Sequence, residues 1–167
     1  MAAPEIDEKF LAAGREYGDA LIALGLDPHA LFWAFDKTEK RHVLVLVTDF
    51  FDYTGPLEIS KQLLRAYNAS ITPKEIDPFV VRLHSIHQSI SERYVGAALS
   101  DGTFHVWDKN MNPKHVPPGD RVEYFDIGDL TLKPEWTIKA RSLQTRNSVE
   151  IGRKWKRFVR NVDKIAA

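Results

Sequence analysis

Hydrophobic and polar positions are patterned most clearly over residues 31–69, LFWAFDKTEKRHVLVLVTDFFDYTGPLEISKQLLRAYNA. Leu31, Trp33 and Phe35 alternate with Phe32 and Ala34, residues 36–41 form a polar turn, and 42–47 is apolar on both sides with Val43, Val45 and Val47 at every second position. A β-branched run of that kind suits a strand covered on two faces, so 42–47 is expected mid-sheet, paired antiparallel with 31–35. After Thr48 the stretch 49–53 leaves the strand. Thr54-Gly55-Pro56-Leu57-Glu58 then opens a helix over 56–68, with proline near its first position and an acid in its first turn. Ile59, Leu63, Ala66 and Tyr67 supply the stripe that would pack on the sheet.

Ile6, Phe10, Tyr17, Leu21 and Leu24 recur at helical spacing and Gly25 follows where a helix would stop, which predicts a helix over 4–24. Thr72-Pro73-Lys74-Glu75 has capping-box spacing, and 79–84 reads as a third strand. Residues 94–99 and 103–107 flank Asp101-Gly102, a type I′ hairpin signal that would set Trp107 over Gly96. The phrase over 99–108 resembles one hairpin of a WD-repeat blade. It occurs once, nothing recurs at a period of ~40 residues, and turn chemistry between apolar strands accounts for it. Residues 109–120 hold Pro113, Pro117, Pro118 and Gly119 and read as a surface loop, while 121–125, 130–132 and 136–140 are further strand candidates. From Asn147 or Ser148 to residue 165 a last helix carries Ile151, Trp155, Phe158, Val159, Val162 and Ile165 on one side. Together these elements predict an α+β fold: a mostly antiparallel sheet of five to seven strands with the helices over 4–24, 56–68 and 148–165 packed chiefly on one face.

The length of 167 residues suits one domain, and 44% hydrophobic with 28% charged residues excludes the disordered and membrane classes. The longest apolar run, 43–47, is far shorter than the ~20 residues a membrane span needs. With no cysteine and an acidic N-terminus unlike a secretory signal, the expected location is cytoplasmic. Zero net charge conceals a segregation: residues 1–131 hold 13 Lys and Arg against 20 Asp and Glu, whereas 132–167 hold 10 against 3. The chain is therefore an acidic body with a basic C-terminal segment.

Three groupings could carry chemistry. Asp49 and Asp52 follow the central strand, where carboxylates can meet a metal or a substrate. Arg82, His84 and His87 lie in RLHSIHQ; Arg82 and His84 share a strand face and could line a pocket for an anionic group, whereas His87 falls off that face. His105 with Asp108 sits near the tight hairpin, where a histidine beside an indole is usually core packing. No dinucleotide, phosphate-loop, nucleophile-elbow or zincin motif is present, and the residues point to no particular cofactor or metal set. Two classes of function remain. The favoured one is a non-catalytic binding or protein-interaction module, with Arg153, Lys154, Lys156, Arg157 and Arg160 as its interaction surface. Protein partners or self-association are favoured over nucleic acid, because the whole chain has no positive charge to draw a polyanion. The alternative is a motif-poor metal-assisted hydrolase or phosphodiesterase using Asp49, Asp52, His84 and His87.

Overall fold

The computed structural model describes residues 4–88, 90–91, 105–107, 113–115, 125–141, 143–144 and 146–166. It is built on the hairpin β1 (Ala30–Asp36) and β2 (Arg41–Val47), whose register runs without a break from Ala30 opposite Val47 to Asp36 opposite Arg41. Asp36 holds the turn, accepting from the backbone N–H of Thr38 at 2.9 Å and of Glu39 at 3.0 Å, and Lys40 takes the left-handed conformation that closes it. Alternation then sorts the side chains: Leu31 and Trp33 meet Leu46 and Leu44 on one face, while Phe32 and Ala34 meet Val45 and Val43 on the other.

The first face takes the helices. Helix α1 (Glu8–Leu24) starts where Asp7 accepts from the Lys9 N–H and stops at Gly25, whose φ of 105° lets Leu26 N–H reach back to the Leu21 carbonyl. It starts four residues later than its hydrophobic spacing predicts, because Asp7 supplies the cap. Gly14 permits close contact with β1, since a Cβ there would lie 2.6 Å from Trp33 Nε1. Residues 49–53, read as leaving the strand, form most of a short helix, α2 (Phe50–Thr54), which leads through Gly55 into α3 (Pro56–Asn68). Thr72 does not make the capping-box bond, and its buried hydroxyl has no partner among the described residues.

That helical connection makes the sheet mixed. It carries the chain over to β3 (Val81–His84), which pairs parallel with β2, as a return through a helix requires. The remaining pairs of this sheet are antiparallel: β6 (Phe125–Ile127) with β7 (Leu130–Leu132), β7 with the end of β1, and β8 (Thr137–Ala140) with its beginning. The six-stranded α+β architecture agrees with the sequence pattern. The Asp101-Gly102 turn and residues 94–99 and 121–124 lie outside the described residues. Inside the stretch read as a loop, β5 (Pro113–His115) pairs with β4 (His105–Trp107) in a separate two-stranded ladder. Among the described residues no helix is long and apolar enough to cross a membrane.

The last helix, α4 (Ser148–Ile165), is capped by Asn147, which accepts from the Glu150 N–H at 2.8 Å. Its stripe docks as the spacing predicts, but unevenly: Phe158 and Val162 are fully buried, Ile151, Trp155 and Val159 are half-buried, and Ile165 is exposed. Asn161 donates to the Leu24 carbonyl at 2.7 Å and Asp163 pairs with Arg65 at 2.7 Å, so α4 is tied to both α1 and α3. Phe158→Ala is expected to cost about 3–5 kcal/mol as a core truncation. Trp155→Ala should cost about 1–3 kcal/mol, since its ring is only partly withdrawn from water. Urea denaturation of the two variants tests this; the reverse order would put the main anchor at Trp155.

Candidate functional site

The C-terminal end of β2 lies beside the C-terminal end of β3, because those two strands are parallel. Asp49 and Asp52 follow the first strand and Ser85 and His87 follow the second, so chain direction alone places four polar residues at one end of the sheet. Within that group the side chains separate into two centres.

Asp49 is buried and belongs to a two-pronged ion pair: its Oδ2 accepts from Arg146 Nε at 2.6 Å and its Oδ1 from the terminal guanidinium nitrogen. Arg146 also lies over the Phe50 ring, 5.8 Å from its centroid. Neighbouring His29 is fully buried, and among the described residues neither ring nitrogen has a partner at full hydrogen-bonding geometry, although the Gln144 backbone lies close enough to favour its charged form. Burial first, then the Arg141 guanidinium, pushes the His29 pKa down to about 4 against the partial opposition of Asp49. Arg141 donates to the carbonyls of Pro28 at 3.2 Å and Asp27 at 3.0 Å. Arg141 and Lys139 both pair with the Asp27 carboxylate, and burial of Asp27 is outweighed by these cations, so its pKa lies below the usual carboxylate range.

The second centre joins Asp52 to Ser85, whose hydroxyl donates to Oδ2 at 2.6 Å and accepts from the His87 N–H at 3.1 Å. His84 stands 2.5 Å from Gln88 Oε1 through Nδ1, and burial lowers its pKa. Arg82 shares the His84 face, as strand alternation requires, yet it points to the opposite end of β3, pairing with Glu39 at 2.7 Å and donating to the Phe79 carbonyl. Asp49, Asp52, His84 and Arg82 are thus each engaged with a different partner: Arg146, Ser85, Gln88 and Glu39 respectively. Among the described residues no three His, Asp or Glu side chains are grouped so as to hold a metal ion. A metal at Asp49 would have to displace the partly buried Arg146 guanidinium. Asp108 and the side chain of His105 lie outside the described residues.

The basic C-terminal segment divides sharply. Its first part is neutralised by the acidic body, through Lys133 with Glu5, Lys139 and Arg141 with Asp27, and Arg146 with Asp49. On α4, Lys154 lies 3.6 Å from Glu150, whereas Arg153, Lys156, Arg157 and Arg160 have no acidic partner among the described residues. Arg153, Lys156 and Arg160 line one surface groove of about 360 Å³ with Tyr53, Ser148 and Val149. Comparison with protein-family models, with curated proteins and with solved structures finds no match.

Sequence reasoning missed His29, Arg141 and Arg146. The available signal was a run of cations over 139–146 after a strand, opposite the acids at 27 and 49, but nothing local pairs them.

Two outcomes are expected. Asp49→Ala should destabilise the fold by about 2–4 kcal/mol by stranding a partly buried guanidinium, whereas Asp49→Leu with Arg146→Met should lose much less. Chemical denaturation of both variants checks this, and equal losses would mean that the pair itself stabilises. The second outcome concerns pH. A histidine whose folded pKa is lowered contributes stability that is present above its unfolded pKa and is lost as pH falls. Between pH 6.5 and about 4, His29 should therefore remove on the order of 3 kcal/mol. Denaturation across that window should become flatter in His29→Leu; an unchanged slope would assign the acid sensitivity to other groups.

Proposed function

We propose that this protein is a non-catalytic binding module that docks an acidic segment of a partner protein on the outer face of α4. The supporting observation is the division of the basic segment: cations facing the body are paired, whereas Arg153, Lys156, Arg157 and Arg160 on the outside of α4 have no acidic partner among the described residues. Unpaired cations on one face attract an anionic partner while adding little to the stability of the free protein. Apolar side chains stand among them, with Val149 82% exposed and Tyr53 44% exposed. Such a mixture suits a peptide carrying both acidic and apolar side chains better than a bare phosphate backbone. The acidic remainder of the chain would also repel a long polyanion running past α4.

Fluorescence anisotropy with a labelled synthetic peptide of about 20 residues, Glu and Asp interleaved with Leu and Phe, tests this reading against a DNA duplex of similar charge. Peptide binding should weaken between 50 and 200 mM salt, and Arg153→Glu with Arg157→Glu should weaken it by roughly tenfold or more. The same double variant should alter stability by ~1 kcal/mol or less, because both side chains are exposed and neither holds an ion pair among the described residues. Binding of the duplex with no binding of the peptide would replace this reading with a nucleic-acid one.

A further inference from the structure

The groove beside α4 is a more specific object than a charged surface. Arg153, Lys156 and Arg160 stand three and four residues apart, on one side of the helix, and converge on the same space of about 360 Å³. Among the described residues no acidic side chain lines it. Two hydroxyl-bearing residues do, Tyr53 from α2 and Ser148 from the first turn of α4. Tyr53 reaches this position because residue 152 is glycine: a Cβ there would lie 2.8 Å from the tyrosine oxygen and 3.2 Å from the ring carbon that bears it. Glycine lowers helix propensity by about 1 kcal/mol relative to alanine, and here its missing side chain admits the phenol to the wall of the groove.

Much of the exposed lining is apolar, from Val149, the Tyr53 ring and the stems of the basic residues, and every charged residue around it is a cation. Two guanidiniums, one ammonium and two hydroxyls exceed what a single carboxylate, with one charge and two oxygens, can satisfy. A phosphoryl group carries a charge of about −1.5 to −2 at neutral pH and three strong acceptor oxygens, and arginines meet it through paired N–H donors. We propose that this groove is a phosphoryl-recognition site, and that the acidic segment docked on α4 presents a phosphorylated serine or threonine to Arg153, Lys156, Arg160 and Tyr53. The inference rests on the binding-module reading and adds the chemical identity of the anchoring group. A phosphopeptide is favoured over an anionic bilayer or nucleic acid because the groove is local, confined to Tyr53 and one side of α4, and Val149 and the Tyr53 ring offer apolar contact to neighbouring side chains. Beyond α4 the body is acidic.

The test uses the full chain, immobilised, and a degenerate peptide library with phosphoserine fixed at its centre, compared with the same library carrying glutamate or serine there. Retention of the phosphoserine library at physiological salt should exceed that of the glutamate library by roughly tenfold. Arg153→Gln with Arg160→Gln should abolish the difference, and Tyr53→Phe, which keeps the ring and removes the hydroxyl, should reduce it severalfold. Gly152→Ala should reduce it too by displacing the phenol, and a thermal melt of that variant separates this effect from unfolding. Equal retention of the phosphoserine and glutamate libraries would overturn the phosphoryl assignment and leave the acidic-segment reading in place. Retention of neither library would overturn both.

Discussion

The β1–β2 ladder has no side that can be left in water. Leu44 and Leu46 point one way and Val43, Val45 and Val47 the other, and all five are fully buried, as are Leu31 and Phe32 across the ladder. A two-sided apolar strand pair must be covered twice, and the rest of the architecture follows from that need. The Leu31 side receives α1, α3 and α4, together with Phe50 of α2. The Phe32 side is closed by Ile86, Ile127 and Leu132, with Ile90, Leu130 and Leu143 packed around them. Gly14 and Gly18 let α1 come close enough to seal the first side, against Trp33 and Leu31 respectively.

Placement of α4 follows from the same core and from one polar bond. Phe158 and Val162 fix which side of the helix faces inward. Arg146, immediately before the Asn147 cap, fixes where the helix begins by inserting its guanidinium between the Asp49 carboxylate and the Phe50 ring. Buried ion pairs contribute little net stability relative to apolar replacements, but they tolerate few alternative geometries. With its start and its inner stripe set, α4 has no freedom left in rotation. Arg153, Lys156, Arg157 and Arg160 must then stand outside, and Tyr53 must meet the helix at Gly152. The candidate binding surface is a consequence of how the core is closed.

Zero net charge hides this arrangement. An acidic body and a basic tail of equal and opposite charge could have neutralised each other completely. Among the described residues the tail's cations reach the body's acids at Lys133, Lys139, Arg141 and Arg146, all before α4. On α4 the helical period turns the cations away from the body, and the apolar stripe occupies the side where acidic partners would be reached.

Local order in the sequence determined the elements. Alternation over 30–47, the positions of Gly25 and Pro56, and the stripe of 151–162 each depend on neighbours within a few residues, so the hairpin and the three main helices are legible from spacing. The same local logic assigned Arg82 and His84 correctly to one face of β3, and it marked the basic residues of α4. Only the tertiary structure decided who pairs with whom. Asp49 meets Arg146 across 97 residues of chain, and Lys139 meets Asp27 across 112. β1 shares one edge between β7 and β8, and the return through α3 makes β2 and β3 parallel. The groove joins Tyr53 to residues a hundred positions later. An ion pair or a cavity wall has no periodicity to read: Coulomb attraction and van der Waals contact act over a few ångströms of space, and sequence distance does not report that space until the core has closed.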